Sequence, residues 1–587
     1  MACLFGYIGK PAPGVLDRMA GRLSHRCKAG WERTSARWGE DRFVEIGHGR
    51  AGWNRDRQIA ERNDPRALFG YAGVIFNAEA ETLLAGLTAS PENGLTALAG
   101  AFTAALALDG DLFLARDHAG VKAVYWTQHR DRFLFASEIK ALFADPSVPR
   151  RMRIGALPEY LTFSFIPGER TMFEEIFELQ PGTLLHWRNG KVETRRHFRF
   201  EGLEPDEAEA LPAADLVRRV ASDLSDSVRE CCRVSDRPPG VFLSGGIDSS
   251  AVLAHAALQH PDVPLKTFSV HFGPEYANEN DFVRMMVDRT RTDHTWLEIR
   301  PKRFIRRMRE IIWRLDDPIG DPITVPNYLM AEAASEVVDV ILNGEGGDPC
   351  FGGPKNIPMM LAFLYGPLPD EPPDAWLERT YLLTYRKCFT DLRQMLSPDV
   401  WRASGGEEAL TAILTPFFRH NPPRRFINKL MAINIRLKGA NLILVKVEKM
   451  TSANGILALP PLFSKRIIET SMMCPPELKL MGNVEKGVLK RAVRDILPGP
   501  IVDRPKSGMM VPVRFWLQGE MRRHARRMLS KRRLRRMGFF NTEYVWKLLK
   551  YDRHEIHGAR HGLKLWMLLT FVHWYEQMVE GKGRQRN

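Results

Sequence analysis

The sequence has no CxxC pair, and its seven cysteines (Cys3, Cys27, Cys231, Cys232, Cys350, Cys388 and Cys474) show no regular spacing with histidine. That excludes a zinc-ligand framework and a disulfide scaffold, and free thiols suit a reducing cytoplasm. Long apolar runs are missing too. The best, Leu565 to Val572, falls far short of the roughly 18 residues of a membrane span and reads as part of an amphipathic helix. The opening MACLFGYIGKPAPG lacks the basic start and apolar core of a signal peptide. A cytoplasmic protein without a membrane partner is expected. Acidic side chains are the scarcer sign, 70 Asp+Glu against 84 Lys+Arg, for a net charge of +14. Such an excess favours acidic partners: nucleic acid, phosphates or carboxylate-bearing peptides. A length of 587 residues with 44% hydrophobic and 26% charged side chains describes a globular chain of two or more domains, not a disordered or fibrous one.

Two textures divide the chain. Up to about residue 200, short apolar or alternating runs such as FVEIGHGRAGW, LFGYAGVIFN and DLFLARDHAGVKAVYW are broken by glycine and asparagine turns, predicting a sheet-rich α+β domain. The acidic stretch 201–216 reads as a linker running into a helix. Beyond it, strand, glycine-bearing loop and helix alternate, with β-rich runs at 266–272 and 337–343, the pattern of a doubly wound parallel sheet. Helices dominate the remainder. We place the boundary so that one domain spans 1–205 and the other 206–587. The basic run 521–536 reads as a docking surface or a solvated helix face.

The most informative segment is Val241-Phe-Leu-Ser-Gly-Gly-Ile-Asp-Ser-Ser250, an apolar strand running into two glycines and a helix. Glycines let the backbone approach a ligand, and unpaired N–H groups at the helix start point at an anion. Ser244 and Ser249 add hydroxyl donors. No lysine follows the second glycine, so this is not a Walker loop. A carboxylate here repels phosphate unless a cation intervenes, so Asp248 points to Mg²⁺. An ordinary strand-to-helix turn is the bland alternative; the length of the match and its position after a strand weigh against it. A second loop, Asn343-Gly-Glu-Gly-Gly-Asp-Pro-Cys-Phe-Gly-Gly353, also follows an apolar strand and carries Glu345 and Asp348.

SGGIDS resembles the PP-loop of the ATP pyrophosphatase superfamily. With the second loop, RDHAGVKAVYW (116–126), EKMTSANG (448–455) and RPKSGMMVPVRFWL (504–517), it resembles the asparagine synthetase family over nearly the whole chain. The resemblance implies an α/β, α+β two-domain architecture: an N-terminal Ntn-hydrolase-like sandwich, then a doubly wound parallel-sheet adenylating domain with a helical C-terminal part. It implies ATP bound by Leu243, Ser244, Gly245, Gly246, Asp248, Ser249, Val270 and Gly344, with Mg²⁺ on Asp248 and Asp348. Lys506 would stabilise negative charge during both steps. Glu345 is a candidate base for the attacking ammonium, with a structural role in the turn as the alternative.

Departures narrow the expectation. Family members that hydrolyse glutamine need an N-terminal cysteine, but here Ala2 separates Cys3 from Met1. Their glutamine-binding Asn-Gly-Glu reads Ala72-Gly73-Val74, leaving Arg50 without those companions. The Asp348-Pro349 pair, the following FGGPKN and LDDPIGDP (315–322) resemble lasso peptide cyclases more than other branches. This implies adenylation of an Asp or Glu side chain in a precursor (core) peptide and closure of a macrolactam by the peptide's own amine. A leader peptidase and a leader-recognition protein would be its partners, and nucleic acid need not be invoked. Asparagine synthetase, using glutamine or ammonia, and a β-lactam-synthetase-like enzyme are the alternatives. For the acidic cluster Asp316, Asp317 and Asp321, binding of the peptide ammonium or help with magnesium stands level with a solvated loop.

Overall fold

The computed structural model describes residues 3–38, 42–49, 67–77, 80–206, 209–367, 375–385, 387–420, 422–480, 482, 484–505, 510–550 and 561–581. Ala2, Arg50 and Lys506 lie outside the described residues.

Eleven strands build the N-terminal part: β1 (Leu4–Gly9), β2 (Trp31–Trp38), β3 (Arg42–Gly49), β4 (Ala67–Ile75), β5 (Gly100–Leu108), β6 (Asp111–Arg116), β7 (Tyr125–His129), β8 (Arg132–Ala136), β9 (Phe177–Glu178), β10 (Thr183–Arg188) and β11 (Lys191–Arg196). They form two antiparallel sheets, ordered β2-β3-β1-β8-β7-β9 and β11-β10-β6-β5-β4. Leu4, Ile8, Val44, Ile46, Phe133 and Phe135 of the first sheet meet Ala72, Ala105, Leu112, Leu114 and Leu185 of the second, filling the sandwich. The second sheet's outer face is covered by Leu87 and Leu95 of two helices. Because both its faces are buried, β5 reads as a near-continuous apolar run, GAFTAALAL.

The following helix, Ala213–Cys232, shows why the chain then changes character. Leu216, Val220, Leu224, Val228 and Cys231 recur at helical spacing and are its buried stripe. Each large apolar side chain buried there contributes about 2 kcal/mol. The third sheet is parallel: β12 (Gly240–Phe242), β13 (Lys266–His271), β14 (Asp293–Glu298), β15 (Val340–Leu342) and β16 (Leu457–Leu459), ordered β14-β13-β12-β15-β16. β12 lies between β13 and β15, so the winding reverses beside it. Ligands of open α/β sheets bind at such a switch point, outside the carboxyl ends of the strands.

One expectation about the C-terminal helices is revised. The helix His561–Trp574 is not amphipathic: apart from Leu563 every residue is buried, because helices close on it from all sides. The basic run is largely an exposed face, as expected, with Arg522, Arg523, Arg526, Arg527, Arg532, Arg535 and Arg536 exposed, and three of its cations are also paired. Arg533 pairs with Glu576 at 2.7 Å, Arg536 with Glu580 at 3.3 Å and Lys531 with Glu543 at 2.8 Å. Among the described residues, no helix is long and apolar enough to cross a membrane.

Buried ion pairs join the two parts. Arg26 of the N-terminal part donates to Glu138 at 3.1 Å and also to Glu448, which accepts from Lys122 at 3.2 Å as well. Burial alone would raise the Glu448 carboxyl; Arg26 and Lys122 outweigh it and hold its pKa at about 2.

Candidate active site

β12 delivers the chain to Ser244 at the centre of the sheet. Gly245 turns it at φ +77°, where a Cβ would stand 3.0 Å from Phe282 Cβ and 3.1 Å from Glu279 O, so glycine is required twice over. The helix Ile247–Gln259 follows, with Asp248 in its first turn. Hydroxyls brace the loop: the Ser244 N–H donates to Ser249 Oγ at 3.1 Å, and the Gly246 N–H to Ser244 Oγ at 3.3 Å.

β15 delivers the second loop alongside. Asn343 Oδ1 accepts the Glu345 N–H at 3.1 Å, shaping the turn. A Cβ on Gly347 would collide with the Asp248 carboxylate, so the two loops touch where that side chain is missing. Asp248 and Asp348 thereby converge on a common cation, Lys486. Its Nζ lies 2.5 Å from Asp248 Oδ2 and 2.7 Å from Asp348 Oδ1. Burial disfavours the charge on Lys486, but the two carboxylates more than offset this and raise its pKa. The lysine reaches them from a left-handed backbone conformation, φ 56° and ψ 36°, a strain concentrated at functional sites.

A cavity of about 270 Å³ opens between the loops. Leu243, Ser244, Gly246, Asp248, Ser249, Val270, Gly344 and Glu345 line it, eight of the residues expected from the sequence. Gly245 shapes the turn without lining the cavity, and Asp348 reaches it through Lys486. Its other walls come from residues that sequence reading did not single out. They include Ile323, Asn327, Met330, Val447, Glu485, Lys486 and Lys490; Arg504, which opens the RPKSG segment, also lines it. Nothing in NVEKGVLK marks Lys486 or Lys490, because no glycine pair or strand announces them.

The residues fit a magnesium–nucleotide complex. Asp248 Oδ1 is buried without a hydrogen-bond partner among the described residues, an acceptor beside the cavity. Among the described residues no group of three or more acidic, histidine or cysteine side chains could hold a metal unaided. Two carboxylates whose remaining ligands come from phosphate and water is the arrangement that suits Mg²⁺.

The acidic cluster meets neither expectation. Asp316 is fully buried between the two parts of the chain. It accepts the N–H groups of Ile139 and Lys140, each at 3.1 Å, and pairs with Lys140 and Lys449, each at 2.7 Å. Asp317 accepts the Met172 N–H at 3.2 Å, and Asp321 pairs with Lys446 at 2.7 Å. These carboxylates clamp elements together: Asp316 is sealed from water, Asp317 and Asp321 only in part, and all three are already engaged by partners of this chain.

Cys3, the cysteine nearest the N-terminus, is not poised as a nucleophile. Cys3 is fully buried, and burial followed by the adjacent Cys27 pushes its pKa well up, so the thiol stays protonated. Ala72 and Val74 are also buried and apolar.

Comparison with known proteins places these features. The Asparagine synthase family model matches residues 219–576, and a Glutamine amidotransferase domain model matches 71–198. Asparagine synthetase (glutamine-hydrolyzing) 1 of Bacillus subtilis (strain 168) is 29% identical over 545 residues, covering 86% of this chain and 82% of the relative. Asparagine synthetase (glutamine-hydrolyzing) 3 of the same organism is 28% identical over 419 residues, covering 68% of this chain and 64% of the relative. Amidase chry2 of Gibberella zeae is 23% identical over 530 residues, covering 78% and 75%. Two glycine loops at the switch point of a parallel sheet, preceded by an amidotransferase-type sandwich, agree with the family match: the chain belongs to the asparagine synthase family.

Proposed function

We propose that this chain is an ATP-dependent, AMP-forming amide ligase that draws its amine from the substrate and not from glutamine: a lasso peptide cyclase. The observation that carries the reading is that Cys3 is fully buried and that Ala72 and Val74, the positions where glutamine-binding polar groups are expected, are buried and apolar. Cys3 is closed off from a glutamine amide, and positions 72 and 74 carry no polar side chain to hold its ends.

The acceptor side agrees. Each described cation lining the cavity is already shared. Lys486 lies on Asp248 and Asp348, Arg504 on Glu279 at 2.6 Å, and Lys490 lies 3.6 Å from Glu485 and 3.4 Å from Arg504 O. The α-carboxylate of a free amino acid would compete for them, whereas an Asp or Glu side chain within a peptide carries only the reacting carboxylate. A carboxylate oxygen attacks the α-phosphorus of ATP, the bond to the bridging oxygen breaks, and pyrophosphate leaves. The loop N–H groups and the Ser244 and Ser249 hydroxyls bind the phosphates. When bound, Mg²⁺ on Asp248 and Asp348 neutralises charge on the departing pyrophosphate. The peptide's terminal amine, losing a proton to Glu345, then attacks the acyl carbon. The C–O bond to AMP breaks, and an amide remains. Lys506 is assigned to charge stabilisation by the motif alone.

A second reading is favoured by the relatives, two of which are named glutamine-hydrolyzing asparagine synthetases. One experiment separates them. The full chain is incubated with Mg·ATP and either a leaderless core peptide with its peptidase, or aspartate with ammonia or glutamine. Loss of one water from the peptide, seen by mass spectrometry, supports cyclisation. Asparagine formed without peptide turnover overturns it.

A further inference from the structure

The loop between helices Pro301–Leu315 and Thr324–Ala334 is tied at both ends to one further helix, Val445–Ser452. At the start of the loop, Lys449 Nζ donates to Asp316 Oδ2 at 2.7 Å and to Leu315 O at 2.6 Å. At its end, Lys446 Nζ donates to Asp321 Oδ2 at 2.7 Å. Three positions apart, the two lysines share one face of their helix. Neither Asp321 nor Lys446 lines the nucleotide cavity, but their sequence neighbours do: Val447 follows Lys446, and Ile323 lies two residues beyond Asp321.

Asp321 also starts the helix that carries the rest of this wall. Its Oδ1 accepts the Ile323 N–H at 3.2 Å, and its carbonyl accepts the Thr324 N–H at 3.1 Å and the Thr324 hydroxyl at 2.7 Å. Asn327 and Met330, one and two turns further on, face the cavity. Burial would raise the Asp321 carboxyl; Lys446 outweighs it, so the pair is ionic. The Lys446 side chain is 5% exposed and that of Asp321 28%, so solvent screens the pair only in part.

We infer that Asp321 and Lys446 form a positioning pair for the adenylating site, setting the separation between Ile323 and Val447 across the cavity wall. The inference rests on reading that cavity as the ATP site. Without the pair, the loop keeps its anchor at Asp316 but loses the one nearest the cavity, and the wall can part from the helix bearing Val447.

Calorimetric titration of Mg·ATP into the full chain tests this with Asp321→Asn, Lys446→Met and the conservative Lys446→Arg. Asparagine keeps an acceptor for the Ile323 N–H and removes only the charge. Asp321→Asn and Lys446→Met should each weaken Mg·ATP binding by about tenfold, the lower end of what residues orienting a site without touching the ligand carry. Lys446→Arg should retain more affinity than Lys446→Met. Thermal unfolding without nucleotide separates a positioning role from a structural one. Lower melting temperatures with unchanged Mg·ATP affinity would overturn the inference. If Lys446→Met does not fold, Asp321→Asn decides. Failure of the unmutated chain to bind Mg·ATP overturns the ATP reading instead.

Discussion

Asp248 and Asp348, from loops far apart in the sequence, share a single ammonium: Lys486 Nζ lies 2.5 Å from one carboxylate and 2.7 Å from the other. Two carboxylates this close repel unless a cation separates them. The protein supplies one from its own chain, and Asp248 Oδ1 has no hydrogen-bond partner among the described residues.

Lys486→Met should therefore cost about 3 kcal/mol, the low end for breaking a buried pair, because both carboxylates remain partly exposed. Urea unfolding measures it, and millimolar Mg²⁺ should recover part of the loss. An unchanged midpoint would show that the ammonium is not holding the two loops.

Asp248→Ala should leave the fold in place, since Lys486 keeps Asp348, but lower Mg·ATP-dependent pyrophosphate release by at least about a hundredfold, as for removal of a preorganised charge-stabilising group. A pyrophosphate-coupled assay reads it. Turnover at the wild-type rate would remove Asp248 from the phosphate site.

All seven cysteines are buried. A thiol reagent should therefore modify almost none of them in the native protein and all of them in denaturant. Glutamine should not be hydrolysed, and Cys3→Ala should leave product formation unchanged. Rapid native labelling of Cys3, or glutamate released from glutamine, would contradict the account of the N-terminal part.

Asp317 gives a pH signature. Burial raises its carboxyl pKa to about 7, with Lys449 opposing. The ordinary value applies in the unfolded chain, so between pH 4 and 7 the unfolded state gives up a proton that the folded state keeps. This group's contribution to stability thus falls as pH rises through that window and is level above it. Asp317→Asn removes that dependence and can still accept the Met172 N–H. Its stability relative to wild type should rise from pH 4 to 7 and then stay flat in chemical unfolding. A constant difference would show that Asp317 is ionised throughout.

The phosphate loop was legible because its parts are local. An apolar strand, two glycines and a helix start lie within ten residues, and each is dictated by its own backbone chemistry. GEGGD was legible for the same reason. The cluster Asp316, Asp317 and Asp321 was misread because three acids in a loop look solvated until their partners are known. Those partners, Lys140, Lys449 and Lys446 and the backbone of Met172, come from distant segments. The helix His561–Trp574 was misread as amphipathic because periodicity cannot count the neighbours that cover a helix.

What the sequence by itself determined is the chemistry on offer: fewer acids than bases, no zinc framework, and two carboxylate-bearing glycine loops. Only the tertiary structure decided which cation the carboxylates share, that Cys3 is sealed as a thiol, and that the acidic cluster clamps the chain. The reason is physical. Backbone geometry is written into neighbouring residues, whereas a charge takes its meaning from whatever folding places within a few ångströms of it, in surroundings too poor in water to screen it.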